Sequence, residues 1–266
     1  MRHLFKYLLI STIVLCTGCN KSETPNTPHT QQKSLEKSTL SIAAAANLRY
    51  ALEEMKQSYI SEYPEREVNI TFGSSGTLSQ QIANGAPFDL FLSADTLKTE
   101  KLKEMGKTYG NTKVYTYGKV ALWSSTIEVS QGLNILTDVK VHKIAIANPE
   151  LAPYGKSSIE SLKKLGLYDK VKDKIIFGEN INQTAQFAVS GNADVAFVAL
   201  SNALSDEMKT KGKYYILSKE ESQPIAQSGI IINGENNAAA QDFFNYILSE
   251  KAKDIWEKYG YESPTH

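Results

Sequence analysis

Short apolar runs alternate with amphipathic segments of helical period from residue 39 to the end of the chain. In the first half, buried strands are predicted at residues 40–44, 68–72 and 89–92, and helices at 48–62, at 77–84 and after Asp95. This β-α-β-α-β-α order predicts a parallel sheet that is covered by helices on both faces.

The second half of the chain repeats the alternation after a long β-prone stretch. Strands are predicted at residues 142–147, 174–177, 194–200, 214–217 and 225–233, and helices at 153–165, 183–190, 236–248 and 251–259. We therefore predict an α/β protein of two lobes, each a mainly parallel sheet flanked by helices. Lobe 1 is assigned residues 39–118 and 229–266, and lobe 2 residues 119–228. The stretches 114–123 and 225–233 are predicted to cross between the lobes as a two-strand hinge.

The N-terminal residues carry a targeting signal. A positively charged start is followed by an apolar run over residues 4–15 and by small residues before Cys19. This order is typical of a secretory signal peptide, here residues 1–19, and the apolar run is too short to span a bilayer. Residues 20–38 are rich in Ser, Thr, Pro, Gln and Lys, which predicts a flexible tether. We therefore expect an exported protein.

Residues 15–19, Leu-Cys-Thr-Gly-Cys, resemble a bacterial lipobox, in which the last Cys becomes the lipidated first residue of the mature protein. Cys16 stands where that pattern prefers Leu. Lipidation of Cys19 would anchor the protein to the membrane in the periplasm or at the cell surface. The alternative is an ordinary cleavable signal with an incidental Cys.

Composition narrows the classes of function. Lys plus Arg and Asp plus Glu both number 29, and a zero net charge argues against a nucleic-acid partner. Cys16 and Cys19 are the only cysteines, and His142 is the only His within the predicted lobes apart from the C-terminal His266. The lobes therefore lack the ligands of a Cys/His zinc site and have little material for a Ser-His-Asp or Cys-His centre. We predict no enzymatic activity and no cofactor.

Four predicted strand-to-helix junctions are rich in small residues and neutral donors, at residues 44–47, 73–77, 148–155 and 179–183. Ligands of open α/β sheets bind beyond the carboxyl ends of strands, where helix N-termini converge. None of these junctions contains Arg, and only Lys156 is a nearby cation. Neutral dipoles can hold a dehydrated dianion, whereas a site for carboxylates would favour Arg. The junctions therefore predict a site for a small anion.

Some of these residues also have a purely structural interpretation. Asn47 could cap the following helix, the Gly-Ser loop could be an ordinary cap, and Tyr154 could be a half-buried aromatic residue. Asp89 and Asp95 are assigned to strand-end hydrogen bonding and helix capping, because a carboxylate in the pocket would repel a dianion.

Seven motifs in this order point to a known family; they lie at residues 43–48, 72–78, 81–95, 146–149, 152–155, 194–201 and 259–261. Through them the chain, from about residue 39 to its end, resembles the periplasmic molybdate-binding proteins of the ModA family. The resemblance implies a type II periplasmic binding protein fold, whose two lobes close over molybdate or tungstate. It also implies a monomer that delivers this ligand to the membrane permease of an ABC importer.

The resemblance implies the binding residues as well. In the family, the oxyanion is held by the loop after the first strand, the Ser-rich loop, the Pro-Tyr-Gly junction and a backbone amide of the second lobe. Carried onto this chain, molybdenum or tungsten would be bound as its oxyanion by Asn47, Ala46, Ser75, Ser74, Tyr154 and Ile181. Ser75 aligns better with the family than Ser74.

Two positions depart from the family pattern. Many members have Ser where this chain has Asn47, and many place a ligand-contacting Tyr where this chain has Ala199. A Tyr at the position of Tyr154 occurs in another branch of the family. We therefore hypothesise that Tyr154 supplies the missing hydroxyl from a different loop.

Three hypotheses for the function follow. The first is an oxyanion-binding importer component, the second is the same fold holding sulfate, phosphate or another small anion, and the third is a periplasmic hydrolase. A hydrolase needs a base near its nucleophile, but His142 begins a predicted strand rather than ending one. The sequence does not rank molybdate against tungstate, since the two are nearly equal in size.

Overall fold

The computed structural model describes residues 39–264. The predicted signal peptide (1–19), with its lipidation site Cys19, and the predicted tether (20–38) lie outside the described residues. The described chain contains two sheets of five strands each.

The first sheet consists of β1 (Thr39–Ala45), β2 (Glu67–Gly73), β3 (Leu90–Ser93), β4 (Thr108–Gly118) and β10 (Ile225–Ile232), in the spatial order β2-β1-β3-β10-β4. β1 pairs parallel with β2 and β3, whereas β10 runs antiparallel to β3 and β4. The helices connected to this sheet are α1 (Arg49–Glu62), α2 (Ser75–Ala83), α3 (Leu97–Glu104), α9 (Asn237–Ile247) and α10 (Glu250–Lys258).

The second sheet consists of β5 (Val120–Ser124), β6 (Ile144–Ala147), β7 (Ile175–Gly178), β8 (Val195–Ala199) and β9 (Lys213–Ile216), in the spatial order β7-β6-β8-β5-β9. β6 pairs parallel with β7 and β8, and β5 runs antiparallel to β8 and β9. Its helices are α4 (Pro153–Lys164), α5 (Tyr168–Val171), α6 (Ile181–Val189), α7 (Leu200–Ala203) and α8 (Asp206–Lys211). The predicted two-lobed α/β fold is confirmed, with three adjacent parallel strands forming one side of each sheet.

The stretch 114–123, predicted as one crossing strand, is two strands in different sheets. β4 ends at Gly118 and β5 begins at Val120, so that Lys119 alone connects the two sheets on this path. The β-prone pattern continues without a break through residue 119, and it therefore does not reveal where the chain changes sheet.

The second predicted crossing strand, 225–233, lies entirely in the first sheet. β10 pairs with β4 from Ile225 onward. Residues 225–228, which the sequence analysis assigned to lobe 2, therefore pair with the strands of lobe 1. The return path between the sheets runs through residues 217–224, which link β9 to β10.

The C-terminal tail is tied to the end of β4. Tyr117 and Glu262 exchange backbone hydrogen bonds of 2.8 and 2.9 Å. The Thr116 hydroxyl donates to the Glu262 carbonyl at 2.9 Å, and the Lys119 ammonium pairs with the Glu262 carboxylate at 2.6 Å. These contacts fix the tail beside the crossing between the sheets.

Within residues 39–264, no helix is long and apolar enough to cross a membrane. The same residues contain no cluster of three or more His, Cys, Asp or Glu side chains arranged to hold a metal ion.

Gly155, in the first turn of α4, lies directly against the end of β6. A Cβ at this position would collide with the carbonyl group of Ala147. Gly155→Ala should therefore lower the free energy of unfolding by about 3 kcal/mol, measured by urea denaturation. Gly234→Ala is the matched control, because the nearest atom to its added Cβ is 3.9 Å away, and we expect a change below about 1 kcal/mol. Equal losses in the two variants would contradict this explanation.

Candidate oxyanion-binding site

A small cavity of about 10 Å³ lies where four strand-to-helix junctions meet. Its walls come from residues 45–47, 73–75, 152–154 and 180–181, together with Ala94. All six residues that were predicted to bind the oxyanion line it: Asn47, Ala46, Ser75, Ser74, Tyr154 and Ile181. Every lining side chain is uncharged. The polarity of the cavity therefore comes from dipoles.

The cavity is also where helices begin. α2 starts at Ser75, α4 at Pro153 and α6 at Ile181, and a 3-10 turn over Ala46–Leu48 leads into α1. The first N–H groups of a helix have no acceptor within that helix, and aligned peptide dipoles place a partial positive charge of about half an elementary charge at its N-terminus. The junctions thus concentrate positive potential in the cavity without a charged side chain.

Asn47 does not cap α1, so its simplest structural interpretation from the sequence is wrong. Because the chain enters the 3-10 turn at Ala46, Asn47 lies inside the helical segment rather than before it, and no side-chain cap is formed. Its Nδ2 donates to Gln227 Oε1 and to Tyr261 Oη, at 2.9 Å each, and lies 3.5 Å from Tyr154 Oη. The Asn47 amide N–H groups are therefore directed at protein acceptors.

The backbone carbonyl of Asn47 extends this set of bonds. It accepts from the hydroxyls of Ser201 and Tyr261, both at 2.8 Å, and these two hydroxyls lie 3.2 Å apart. Ser201 belongs to α7, Gln227 to β10 and Tyr261 to the C-terminal tail, and all are buried. We call Asn47, Ser201, Gln227 and Tyr261 the Asn47 network. It joins the loop after β1 to α7 of the second lobe, to β10 and to the C-terminal tail.

The two serines of the Gly-Ser loop have different partners. Ser74 is the N-cap of α2: its oxygen accepts from Thr77 N at 3.2 Å, and its hydroxyl donates to Thr77 Oγ1 at 2.7 Å. Ser75 Oγ accepts from Ala94 N at 3.0 Å and donates to no acceptor among the described residues. The Ser75 hydroxyl hydrogen is therefore available to the cavity, whereas that of Ser74 is used by the cap.

Tyr154 places a buried phenol beside the cavity. The residue is 2% exposed, and a Cβ on Gly118 at the sheet crossing would collide with its hydroxyl. Burial raises the pKa of the Tyr154 phenol well above its usual range, so the phenol stays protonated at physiological pH. Its oxygen lies 3.5 Å from Asn47 Nδ2, and no acceptor in residues 39–264 takes its hydrogen.

The second lobe also offers a backbone donor. Asn180 caps α6, with Oδ1 accepting from the N–H groups of Asn182 and Gln183 at 3.0 and 3.1 Å. Ile181, the first residue of α6, lies between the cap and these partners, and its N–H is not used by the cap. The junction thus presents the Ile181 N–H at the cavity wall.

The two lobes touch directly beside the cavity. Gly76 N donates to the carbonyl of Leu151 at 2.8 Å, which links the first turn of α2 to the loop before α4. A Cβ on Gly76 would lie 2.8 Å from this carbonyl oxygen and 2.9 Å from the Leu151 Cα. Only glycine therefore permits so close an approach of the two backbones.

Two carboxylates near the strand ends have the structural roles predicted for them. Asp89 accepts from the backbone N–H of Ser41 at 2.7 Å, and Asp95 accepts from that of Lys98 at 2.9 Å, in the first turn of α3. Neither lines the cavity.

His142 and Ala199 also lie apart from the cavity. His142 precedes β6 instead of beginning it, because its N–H and that of Lys143 both donate to the Asp194 carboxylate at 2.7 Å. Its side chain is exposed. Ala199 is buried at the end of β8, where it pairs with Val120.

The sequence analysis missed most of the Asn47 network. Ser201 and Tyr261 lie in motifs that carried the family resemblance but received no role, and Gln227 was not singled out. Gln227 interrupts the apolar run of β10 yet is fully buried. Because a buried polar side chain needs hydrogen-bond partners, a lone Gln in a predicted core strand is the signal that could have identified it.

Tyr261→Phe tests the Asn47 network. The substitution removes a hydroxyl that accepts from Asn47 Nδ2 and donates to the Asn47 carbonyl, and it leaves buried polar groups without a partner. We expect the free energy of unfolding to fall by about 1–3 kcal/mol in chemical denaturation.

Tyr259→Phe is the matched control from the same tail. Tyr259 Oη bonds Glu54, whose carboxylate keeps the Lys258 ammonium at 2.7 Å when the hydroxyl is lost. We expect a loss below about 1 kcal/mol. A Tyr261→Phe variant as stable as wild type would show that the network contributes nothing to stability.

Comparisons with known proteins agree with this geometry. The family described as bacterial extracellular solute-binding protein matches residues 40–262. The molybdate-binding protein ModA of Azotobacter vinelandii is 36% identical over 224 residues, which cover 83% of this chain and 88% of that protein. A Bacillus subtilis (strain 168) protein, provisionally named an ABC transporter substrate-binding lipoprotein, is 31% identical over 264 residues, 95% of each chain.

A solved structure extends the similarity to three dimensions. The periplasmic molybdate-binding protein of Azotobacter vinelandii superposes with a TM-score of 0.80 at 32% sequence identity, covering 85% of this chain and 100% of that chain. The agreement includes both sheets, since it spans nearly all the described residues. The chain therefore belongs to the ModA family of bacterial extracellular solute-binding proteins.

Proposed function

We propose that this protein captures molybdate or tungstate between its two lobes, outside the cytoplasm, and delivers the ligand to the membrane permease of an ABC importer. The observation that carries the proposal is a cavity at four helix N-termini with neutral donors and no charged lining side chain. The similarity to ModA proteins supports the same ligand. The ligand brings the metal as an oxyanion, and no cofactor is required.

The proposed binding mode uses both lobes. Ser75 supplies its hydroxyl and Ala46 its N–H from the first lobe, while Tyr154 supplies its phenol and Ile181 its N–H from the second. Ser74 contributes by capping α2. Helix N-termini stabilise an anion by about 0.3–1 kcal/mol each, and by up to ~2 kcal/mol where the site is partly buried. Several weak dipoles thus replace the water shell of the dianion.

We propose that Asn47 acts through its position more than through its amide. Since its Nδ2 is used by Gln227 and Tyr261, its contribution to the ligand is its backbone and the fixed geometry of the neighbouring Ala46. Tyr154 takes the place of the Tyr that many family members have at the position of Ala199. A buried, protonated phenol beside the cavity supports this compensation.

Binding and release require the lobes to move. We propose a hinge at Lys119 and at residues 217–224, the two paths that connect the sheets. The Gly76–Leu151 hydrogen bond would close the lobes over the ligand. We further propose a monomer that is exported by the signal at 1–19 and held at the membrane through Cys19, with 20–38 as the tether.

The same cavity bears on the alternative ligands. Hydrogen phosphate carries a proton at neutral pH and needs a strong acceptor, but no carboxylate lines the cavity. Sulfate, like molybdate, is fully deprotonated and could be held by the same donors. Sulfate is therefore the main competitor, and a hydrolase is disfavoured because the cavity wall holds no His, Asp or Glu to act as a base.

The experiment that tests the proposal is a thermal melt of the purified protein with molybdate, tungstate, sulfate and phosphate in turn. A ligand that binds only the folded state stabilises it by about 4 kcal/mol at a thousandfold excess over Kd. We expect a large rise in Tm with molybdate or tungstate. A comparable rise in Tm with sulfate alone would identify sulfate, not molybdate, as the ligand. No rise in Tm with any of the four anions would refute the proposal.

Ser75→Ala and Ser74→Ala form a matched pair at the Gly-Ser loop. Ser75→Ala should weaken molybdate binding about 10- to 100-fold, because a hydrogen bond to a charged ligand contributes about 1.5–3 kcal/mol. Ser74→Ala should instead lower stability by about 1 kcal/mol through loss of the α2 cap and leave Kd nearly unchanged. Calorimetric titration and urea denaturation measure both quantities. If Ser74→Ala weakened binding and Ser75→Ala only lowered stability, Ser74 would be the ligand-binding residue and Ser75 the structural one.

Tyr154→Phe tests the proposed compensation for Ala199. Since the phenol stays protonated, it donates to the oxyanion, and its loss should raise Kd for molybdate about tenfold or more in calorimetric titration. Tyr168→Phe, in α5 and away from the cavity, should leave Kd unchanged. An unaltered Kd in Tyr154→Phe would remove this residue from the binding set.

A further inference from the structure

A surface groove adjoins the cavity on the side where α1 and α6 begin. It is lined by Arg49 and Phe72 from the first lobe and by Asn182, Gln183, Gln186 and Asn202 from the second. The groove and the cavity share Ala46 and Asn180 as lining residues, so they are separated only by these two junctions. We call it the Arg49 groove.

Arg49 provides an available positive charge at this groove. Its guanidinium lies 4.4 Å from the ring centroid of Phe72, which holds the charge against the groove wall. Within residues 39–264, no carboxylate lies within 4.0 Å of this guanidinium, whereas Arg66 pairs with Asp242 at 3.1 Å. An Arg that is oriented by an aromatic ring and unpaired with an acid is suited to attract an anion.

The Arg49 groove also differs in its lining from three other surface grooves. The groove at Lys98 and Lys156 contains Glu150 and Glu160, that at Tyr63 contains Glu62 and Asp242, and that at Lys209 contains Asp206 and Glu207. The Arg49 groove has a cation and no carboxylate. A dianion that enters this groove therefore meets a positive charge and no lining carboxylate.

Two side-chain amides that line the groove each have one buried atom without a partner. Asn202 Nδ2 donates to Asn182 Oδ1 at 2.7 Å, but Asn182 Nδ2 and Asn202 Oδ1 have no hydrogen-bond partner among the described residues. Asn202 is 1% exposed. Both atoms are buried, so an oxyanion in the groove would bond the amide donor only after these side chains rotate.

We propose that the Arg49 groove is an entry site, at which an oxyanion is held before it passes into the cavity between the lobes. The inference rests on the proposed function, since it takes the same tetrahedral dianion as its ligand. The groove is formed by residues of both lobes, and opening of the lobes would join it to the cavity past Ala46 and Asn180. Arg49 would therefore raise the rate at which the protein binds its oxyanion.

Stopped-flow measurement of molybdate binding by the full protein tests this inference. Trp256, whose ring centroid lies 5.1 Å from that of Tyr261 in the Asn47 network, provides the fluorescence signal. Arg49→Gln should lower the association rate constant about three- to tenfold at low ionic strength, with the difference disappearing at high salt, and leave the dissociation rate constant unchanged. Arg49→Lys should retain most of the wild-type rate.

Lys56→Gln is the matched control, because it removes the same charge from the same helix two turns away from the groove. We expect its association rate to stay close to that of wild type. An unchanged association rate in Arg49→Gln, an equal loss in Lys56→Gln, or an effect on dissociation alone would each overturn the entry site. If wild type binds no oxyanion, the proposed function itself fails, and that outcome is visible before any variant is compared.

Discussion

The hydrogen bonds that converge on Asn47 are the constraint on which the rest of the structure depends. They tie the loop after β1 to α7, to β10 and to the C-terminal tail, all out of contact with water. Buried polar groups are costly when they lose a partner, so these four segments are held in one arrangement. The positions of two donors at the cavity follow, because Ala46 is the neighbour of Asn47 and Tyr154 lies against the same network.

An uncharged cavity has a second physical consequence. A buried Lys or Arg would have to be desolvated even when no ligand is present, and it would then need a carboxylate partner that repels the ligand. Peptide dipoles at helix N-termini are already oriented by the fold, so little reorganisation is needed when an anion enters. The positive charge of Arg49 lies outside, where water still solvates it. In the proposed mechanism, attraction and retention are thus assigned to different parts of the molecule.

The fold could be predicted from the sequence because its strands and helices are marked by clean periodicity, and the junctions were found because Gly, Ser and Asn cluster where strands end. The features that could not be predicted from the sequence each have a specific physical cause. The sheet change at Lys119 leaves no mark in a continuous β-prone pattern, and the partners of Gln227 lie far away in the chain. The difference between Ser74 and Ser75 depends on the residue at which α2 begins, and a shift of one position would exchange their environments.

The use of main-chain groups at the cavity affects how such a protein can change over time. A backbone N–H, such as that of Ala46 or Ile181, is supplied by any amino acid except proline. Side chains at these positions can therefore drift without altering the proposed contacts, provided that the helices still start at the same place. Related proteins would then keep the same ligand as long as their helices begin at the same positions. A residue-by-residue comparison of two sequences does not show where the helices begin.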